Sequence, residues 1–405
     1  MSPFLQLAIS LAVIIIAAKA GGYISYRLGQ PSVLGELIAG ILLGPSLLDF
    51  LHMPIFTDGH LATTIHELAE FGVLFLMFIA GLELHLSDLM KSGKIAALSG
   101  TMGVFVPLLL GAGLGTIMAM DTPQAIFMGL VLAATSVSIS AQTLMELKVL
   151  SSRVGITLLG AAVFDDILVV LGLSVFGSLV IAEADASLLS ILMIVLQMIL
   201  YLGIAGLLGY FLIPKLSQRI YNQPISQGLI AFTIVVILIY AWAAEILGGM
   251  AAITGSFLAG LMFAQNPLKE RIERDISPLA YGLFVPIFFI NVGLSTNVRE
   301  LIGPTFWLFI FMTLLAVIGK ILGAGAGALL GGMNKREAMQ LGIGMMSRGE
   351  VGLIVAAVGV AEGVLPQDTF SAVVGVVIVT TLLTPPALRA SFRSPKKSVE
   401  NPGHG

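Results

Sequence analysis

The sequence predicts an all-α membrane protein of thirteen transmembrane helices, arranged as two inverted repeats of six joined by a linker helix. Three observations carry this. Of 405 residues, 57% are hydrophobic and 11% are charged, whereas a soluble domain carries about 25% charged residues. Thirteen apolar stretches reach the roughly 20 residues that a helix needs to cross the hydrocarbon. Two pairs of similar Gly-rich segments recur seven stretches apart.

The spans lie near 4–26, 31–50, 63–84, 95–118, 123–146, 153–182, 188–213, 225–245, 249–265, 277–296, 302–331, 336–361 and 367–390. The chain opens MSPFLQ and enters span 1 without the basic region of a cleaved signal, so span 1 is expected to be retained. The end, RSPKKSVENPGHG, is expected to be disordered. If loops alternate sides, all but four of the 20 Lys and Arg fall on one side, among them Arg27, Lys91, Lys148, Arg153, Lys269 and Arg389. Arg299 stands alone on the other side, and Lys19, Lys320 and Arg348 lie inside spans. Basic loops stay in the cytoplasm, which predicts an inner-membrane protein with its N-terminus outside and its C-terminus inside.

The repeat rests on two matches. Gly35-Glu36-Leu37-Ile38-Ala39-Gly40-Ile41-Leu42 in span 2 resembles Gly255-Ser256-Phe257-Leu258-Ala259-Gly260-Leu261-Met262 in span 9. Phe78-Ile79-Ala80-Gly81-Leu82 in span 3 parallels Ile290-Asn291-Val292-Gly293-Leu294 in span 10. A separation of seven spans is odd, so the halves are inverted, as in many secondary transporters with sites near the bilayer midplane. Spans 4–6 then correspond to spans 11–13.

Those two trios hold the polar residues that matter, because ionisable groups at mid-membrane are costly and mark function. Asp165 and Asp166 sit near the middle of span 6, flanked by apolar residues. Neighbours on a helix point about 100° apart, so they cannot share one partner; one can face a charge and the other an aqueous cavity. Lys320, inside span 11, needs an anion, and either aspartate can supply it. Arg348-Gly349-Glu350 lies inside span 12. Arg348 and Glu350 can pair with each other, or Glu350 with a residue across the repeat axis, and a mainly structural role competes with ion coupling. In span 5, Thr135, Ser136, Ser138 and Ser140 can ligate a cation or serve as ordinary packing residues. Thr135 maps onto Ser347 at a separation of 212 residues, so spans 5 and 12 are expected to be broken and to cross. Glu36 and Glu83 are expected to be solvated at helix ends, Asn291 to make a packing hydrogen bond, and Lys19 has no assigned role.

Hard monovalent cations prefer oxygen ligands, so Asp166 with Thr135 forms the expected metal-ion site. A carboxylate that must release a proton to take a cation couples the two. The chain has no cysteine and five His, which excludes disulfides and thiolate metal sites. No G-x-x-x-x-G-K-[ST] is present, His66-Glu67-Leu68-Ala69-Glu70 has Glu where a zinc-binding H-E-x-x-H needs its second His, and no Gly-Asp dipeptide occurs. A transporter is expected rather than an enzyme, with no cofactor beyond transported sodium or lithium and protons, and no nucleic-acid partner. An ion channel shares the composition, but the repeat and the paired titratable groups favour a carrier.

Residues 30–46, QPSVLGELIAGILLGPS, together with the Asp-Asp pair and the run SRGEVGLI from Ser347 to Ile354, resemble the monovalent cation:proton antiporter-2 family, which includes NapA-type sodium antiporters and Kef potassium-efflux systems. The resemblance covers about residues 3–391. It implies an NhaA-like fold, a homodimer, and a role in sodium transport and pH homeostasis. It implies a dimerisation domain from 1–90 and 224–298, a mobile core from 91–186 and 299–391, a linker helix at 187–223 and a cytoplasmic tail at 392–405. By motif, Asp166 is the principal ion-binding carboxylate, Asp165 pairs with Lys320, and Thr135 lines an unwound span 5. The Asp-Asp pair is similar to electrogenic members that move two protons per sodium. Kef systems carry a soluble regulatory domain after the membrane part and lack paired aspartates; both differences favour sodium, with potassium/proton exchange or a Kef-like efflux protein as the alternative.

Overall fold

The computed structural model describes residues 1–176, 188–295, 299 and 306–392. Ten helices are long and apolar enough to cross a membrane among the described residues, and shorter apolar helices lie between them. In chain order they run α1 (Pro3–Arg27), α2 (Ser32–Leu43), α3 (Leu61–Leu82), α4 (Leu86–Ile117), α5 (Thr122–Ala133), α6 (Val137–Glu146), α7 (Arg153–Phe176), α8 (Leu188–Tyr221) and α9 (Gly228–Ile246). They continue as α10 (Ala252–Phe263), α11 (Lys269–Leu279), α12 (Val285–Leu294), α13 (Phe306–Leu330), α14 (Lys335–Gly344), α15 (Glu350–Ala361) and α16 (Gln367–Phe392). The expected tail beyond 392, and the parts of spans 6 and 11 at 177–182 and 302–305, lie outside the described residues.

An all-helical chain follows from its solvent. Without water in the hydrocarbon, backbone N–H and C=O groups must bond within the protein, which a helix does for each segment alone. Burial then sorts the helices. Only 17% of the spanning window of α8 is buried, against 89% for the α5–α6 path, so α8 faces lipid and α5–α6 lies at the centre.

Glycines set the closest helix crossings. Gly40 in α2 lies against the Ile290 carbonyl and Gly293 of α12, and Gly260 in α10 lies against the Phe78 carbonyl of α3. Gly293 approaches the Ile41 amide, as Gly81 approaches the Leu261 amide. Any side chain there would meet backbone, which cannot step aside, so the α2–α12 and α3–α10 crossings depend on the missing Cβ.

One apolar cluster is built from α4, α5, α7, α13, α15 and α16, with Ala134 just after α5 and Leu365 just before α16, through residues such as Val104, Phe127, Val169, Met312, Ala356 and Val376. A larger cluster joins α1–α3 and α8–α12 with α4, α6, α7, α13, α14 and α16, through residues such as Ile95, Leu144, Leu158, Ala324, Leu341 and Leu388. Between α11 and α12 the chain makes one π-helical turn, Ala280–Phe284. Lys19 of α1 donates to the Tyr281 carbonyl there at 2.8 Å, which gives that lysine a partner. Glu36 departs from expectation. It sits one turn inside α2, is 9% exposed, and packs beside Gly22 of α1 rather than in solvent. Glu83 is half-buried just past α3.

Candidate functional site

The α5–α6 path breaks at Ala134–Ser136, where Ala134 and Ser136 adopt extended backbone. The α14–α15 path breaks between Gly344 and Glu350. Both breaks follow from composition: Ser and Thr hydroxyls compete for backbone bonds, and Gly gains most freedom outside a helix. The two breaks complete each other. The Ser136 amide donates to the Ser347 carbonyl at 2.9 Å, and the Ser347 hydroxyl donates to the Ser136 carbonyl at 2.5 Å. The Ser140 hydroxyl donates to the Gly344 carbonyl at 2.5 Å.

Arg348, 2% exposed, serves the helix ends. Its Nη2 donates to the carbonyls of Leu132 at 2.7 Å and Ala316 at 3.1 Å. Its Nη1 reaches the carbonyls of Met346 at 3.3 Å and Met345 at 3.4 Å. Leu132 lies in the last turn of α5, and Met345 and Met346 follow the end of α14. A cation there meets the negative ends of both half-helices and satisfies carbonyls that lipid cannot. The side chain of Glu350, its expected partner, lies outside the described residues. Gly349 packs on Ser136 so closely that a Cβ would stand 2.5 Å from the Ser136 Cβ and Oγ. Gly349→Ala is therefore expected to destabilise the protein by about 1–3 kcal/mol, read as a lower melting temperature in detergent. An unchanged melt would mean that Ser136 moves aside freely.

Asp165 and Asp166 lie in the interior of α7. Asp165 and Lys320 are both fully buried and form an ion pair. The second oxygen of Asp165, Oδ2, has no hydrogen-bond partner among the described residues. Asp166 turns the other way. It is 8% exposed, accepts a hydrogen bond from the Thr254 hydroxyl of α10 at 3.4 Å, and lines a cavity of about 10 Å³ with Met77, Val137, Leu159, Thr254 and Phe257. That is room for about one water-sized species. Val137, next to Ser136, brings the break to the same cavity. The hydroxyl oxygens of Thr135, Ser136 and Ser138 are buried and have no hydrogen-bond partner among the described residues. Buried polar atoms ordinarily have partners, so three at one break are free to serve as ligands.

A larger cavity, about 490 Å³, lies between α3, α9, α10 and α12 on one wall and α6, α15 and α16 on the other, with His66, Glu70, Glu245 and Asn291 among its lining. Asn291 is hydrogen-bonded to His66 at 3.1 Å. Ile253 lines both cavities, so the larger one approaches Asp166. Among the described residues no three His, Cys, Asp or Glu side chains converge as a metal cluster would require; any cation here meets carboxylate, hydroxyl and carbonyl oxygens. Thr254 was missed by the sequence reasoning. Its one signal is its place just before the repeated Gly255 segment.

A family model described as sodium/hydrogen exchanger, transmembrane, matches residues 11–392. The chain is 37% identical over 390 residues to the Na(+)/H(+)-K(+) antiporter GerN of Bacillus cereus, covering 96% of this chain and 97% of that protein. It is 38% identical over 382 residues to the probable Na(+)/H(+) antiporter GerT of the same organism, covering 94% and 98%. Among solved structures, the sodium proton antiporter MjNhaP1 from Methanocaldococcus jannaschii shares the fold, with a TM-score of 0.72 over 95% of each chain at 18% identity.

Proposed function

Since the chain belongs to the sodium/hydrogen exchanger family, a family of transporters rather than enzymes, we propose that it exchanges sodium or lithium for protons across a bacterial inner membrane. The observation that carries this reading is the division of labour in α7. Lys320 occupies Asp165, while Asp166 faces a small cavity beside a helix break whose hydroxyls have no partner among the described residues. Asp166 takes either the cation or a proton. Thr135, Ser136 and Ser138 complete the oxygen ligands, and Arg348 holds the crossed half-helices in place. An unequal charge count per cycle, hence electrogenic exchange, follows if Lys320 also gives up its proton.

Exchange needs access from each side in turn. The cluster of α4, α5, α7, α13, α15 and α16 with Ala134 and Leu365, all of whose buried members fall within 91–186 and 299–391, supports a core, 91–186 with 299–391, moving as a unit against a homodimeric frame, 1–90 with 224–298. The matched glycine crossings, Gly40 with Ile290 and Gly260 with Phe78, relate equivalent residues of the two expected repeats and support an inverted thirteen-helix layout. The one-sided basic loops support a cytoplasmic C-terminus. A potassium reading is favoured by one observation: a relative covering nearly the whole chain is named a Na(+)/H(+)-K(+) antiporter.

Purified protein in proteoliposomes under an imposed pH gradient tests this. Sodium or lithium is expected to collapse the gradient, and potassium to do so less. No cation-dependent pH change with any of the three would defeat the proposal, and a response to potassium alone would move it to the second reading.

A further inference from the structure

The start of α2 is capped from across the proposed domain boundary. A helix begins with N–H groups that have no intrahelical acceptor, and Pro31, the residue before α2, offers no side-chain cap. Glu146, the last residue of α6, fills the role. It accepts hydrogen bonds from the Ser32 amide at 2.6 Å, the Ser32 hydroxyl at 2.6 Å and the Val33 amide at 3.3 Å. Gln142, one turn earlier on α6, donates to the same carboxylate at 3.0 Å, and the Ser25 hydroxyl braces the turn by donating to the Pro31 carbonyl at 2.6 Å. A carboxylate against a helix N-terminus combines charge-assisted hydrogen bonds with a favourable dipole.

Its position is the informative part. Glu146 adjoins the basic loop with Lys148 and Arg153, so it marks the cytoplasmic side. There a second contact also crosses between the two units: Gly29, in the left-handed region at φ +69°, lies under the Arg389 guanidinium of α16, where a Cβ would stand 3.1 Å from Nη1. The 490 Å³ cavity between the same units carries Glu70 from the middle of α3 and Glu245 from the last turn of α9, the end away from the basic loops. The units therefore meet closely on the cytoplasmic side and enclose a large cavity toward the other, where Arg299 still bridges them by donating to the carbonyls of Ser46 at 3.1 Å and Leu47 at 3.4 Å.

We propose that Glu146 is a positioning residue for transport: its cap on α2 latches the cytoplasmic side shut, stabilises the outward-facing state, and opens and re-forms once per cycle. This rests on the alternating-access reading above. Glu146 touches neither ion, so its loss shifts the balance of states rather than the ion chemistry.

The chain has no cysteine, so a single reporter suffices. Ala252→Cys, in the wall of the larger cavity, is labelled with a membrane-impermeant maleimide in right-side-out and everted vesicles, and sodium-dependent pH changes are followed in the same preparations. Adding Glu146→Gln is expected to slow labelling from the outside about five- to tenfold, the effect of losing a strong helix cap. Ser32→Ala, which leaves the carboxylate in place, is expected to shift it the same way by less. Unchanged or faster outside labelling in both variants overturns the latch, whether or not exchange is seen. If labelling slows while the parent shows no cation exchange, the latch stands and the proposed transport fails.

Discussion

Asp166→Asn is expected to reduce cation-dependent proton movement to background while the protein still inserts and melts near the parent temperature. The amide keeps the shape of the carboxylate and can still meet the Thr254 hydroxyl, so packing changes little. It cannot release a proton or neutralise a cation, so the exchange of one charge for another at this position stops. Everted vesicles with a pH-sensitive dye provide the measurement, with size-exclusion and thermal melting in detergent as the controls for folding. A variant with parental exchange would move the ion site away from α7.

Lys320→Ala is expected to be the most destabilising substitution in the core. Asp165 and Lys320 are fully buried, and removing one partner of a buried pair costs about 3–5 kcal/mol because the remaining charge has no counterpart. Asp165 can recover part of this by taking a proton, which removes one titrating charge from the cycle. A lower melting temperature and an altered charge moved per sodium, read with a potential-sensitive dye, are the expected results. Adding Asp165→Asn to Lys320→Ala is expected to restore part of the stability, since the orphaned charge is gone. Parental melting and parental electrogenicity in Lys320→Ala would refute both the pair's structural role and its part in proton coupling.

Much of the architecture could be read from the residues, because lipid leaves so few ways to satisfy a backbone. Apolar runs of spanning length mark helices, and the hydroxyls of Thr135–Ser140 and the glycines Gly344 and Gly349 mark where two of them give way. The cost of a bare charge in hydrocarbon pointed to an anion for Lys320. What stayed hidden was sidedness. These helices are apolar on nearly every face, so no periodicity says which neighbour each face meets. Thr254 reaches Asp166 from 88 positions away in sequence. Arg348 was expected to seek an acid, yet the guanidinium is consumed by carbonyls of three different segments, an arrangement that only the crossing creates. Glu36 looked like an end residue by its distance from the loop, but the close packing of α1 on α2 covers it.

The mutual completion of the two breaks bears on how the protein is made. Synthesis delivers the first half to the bilayer well before the second. Until Ser347 arrives, the amide of Ser136 has no acceptor, and until Arg348 arrives, the carbonyl of Leu132 has no donor. Hydrocarbon supplies neither. The nascent α5–α6 segment must therefore wait in a provisional state, as an unbroken helix or at the membrane surface, and take its final path only when the C-terminal half inserts against it.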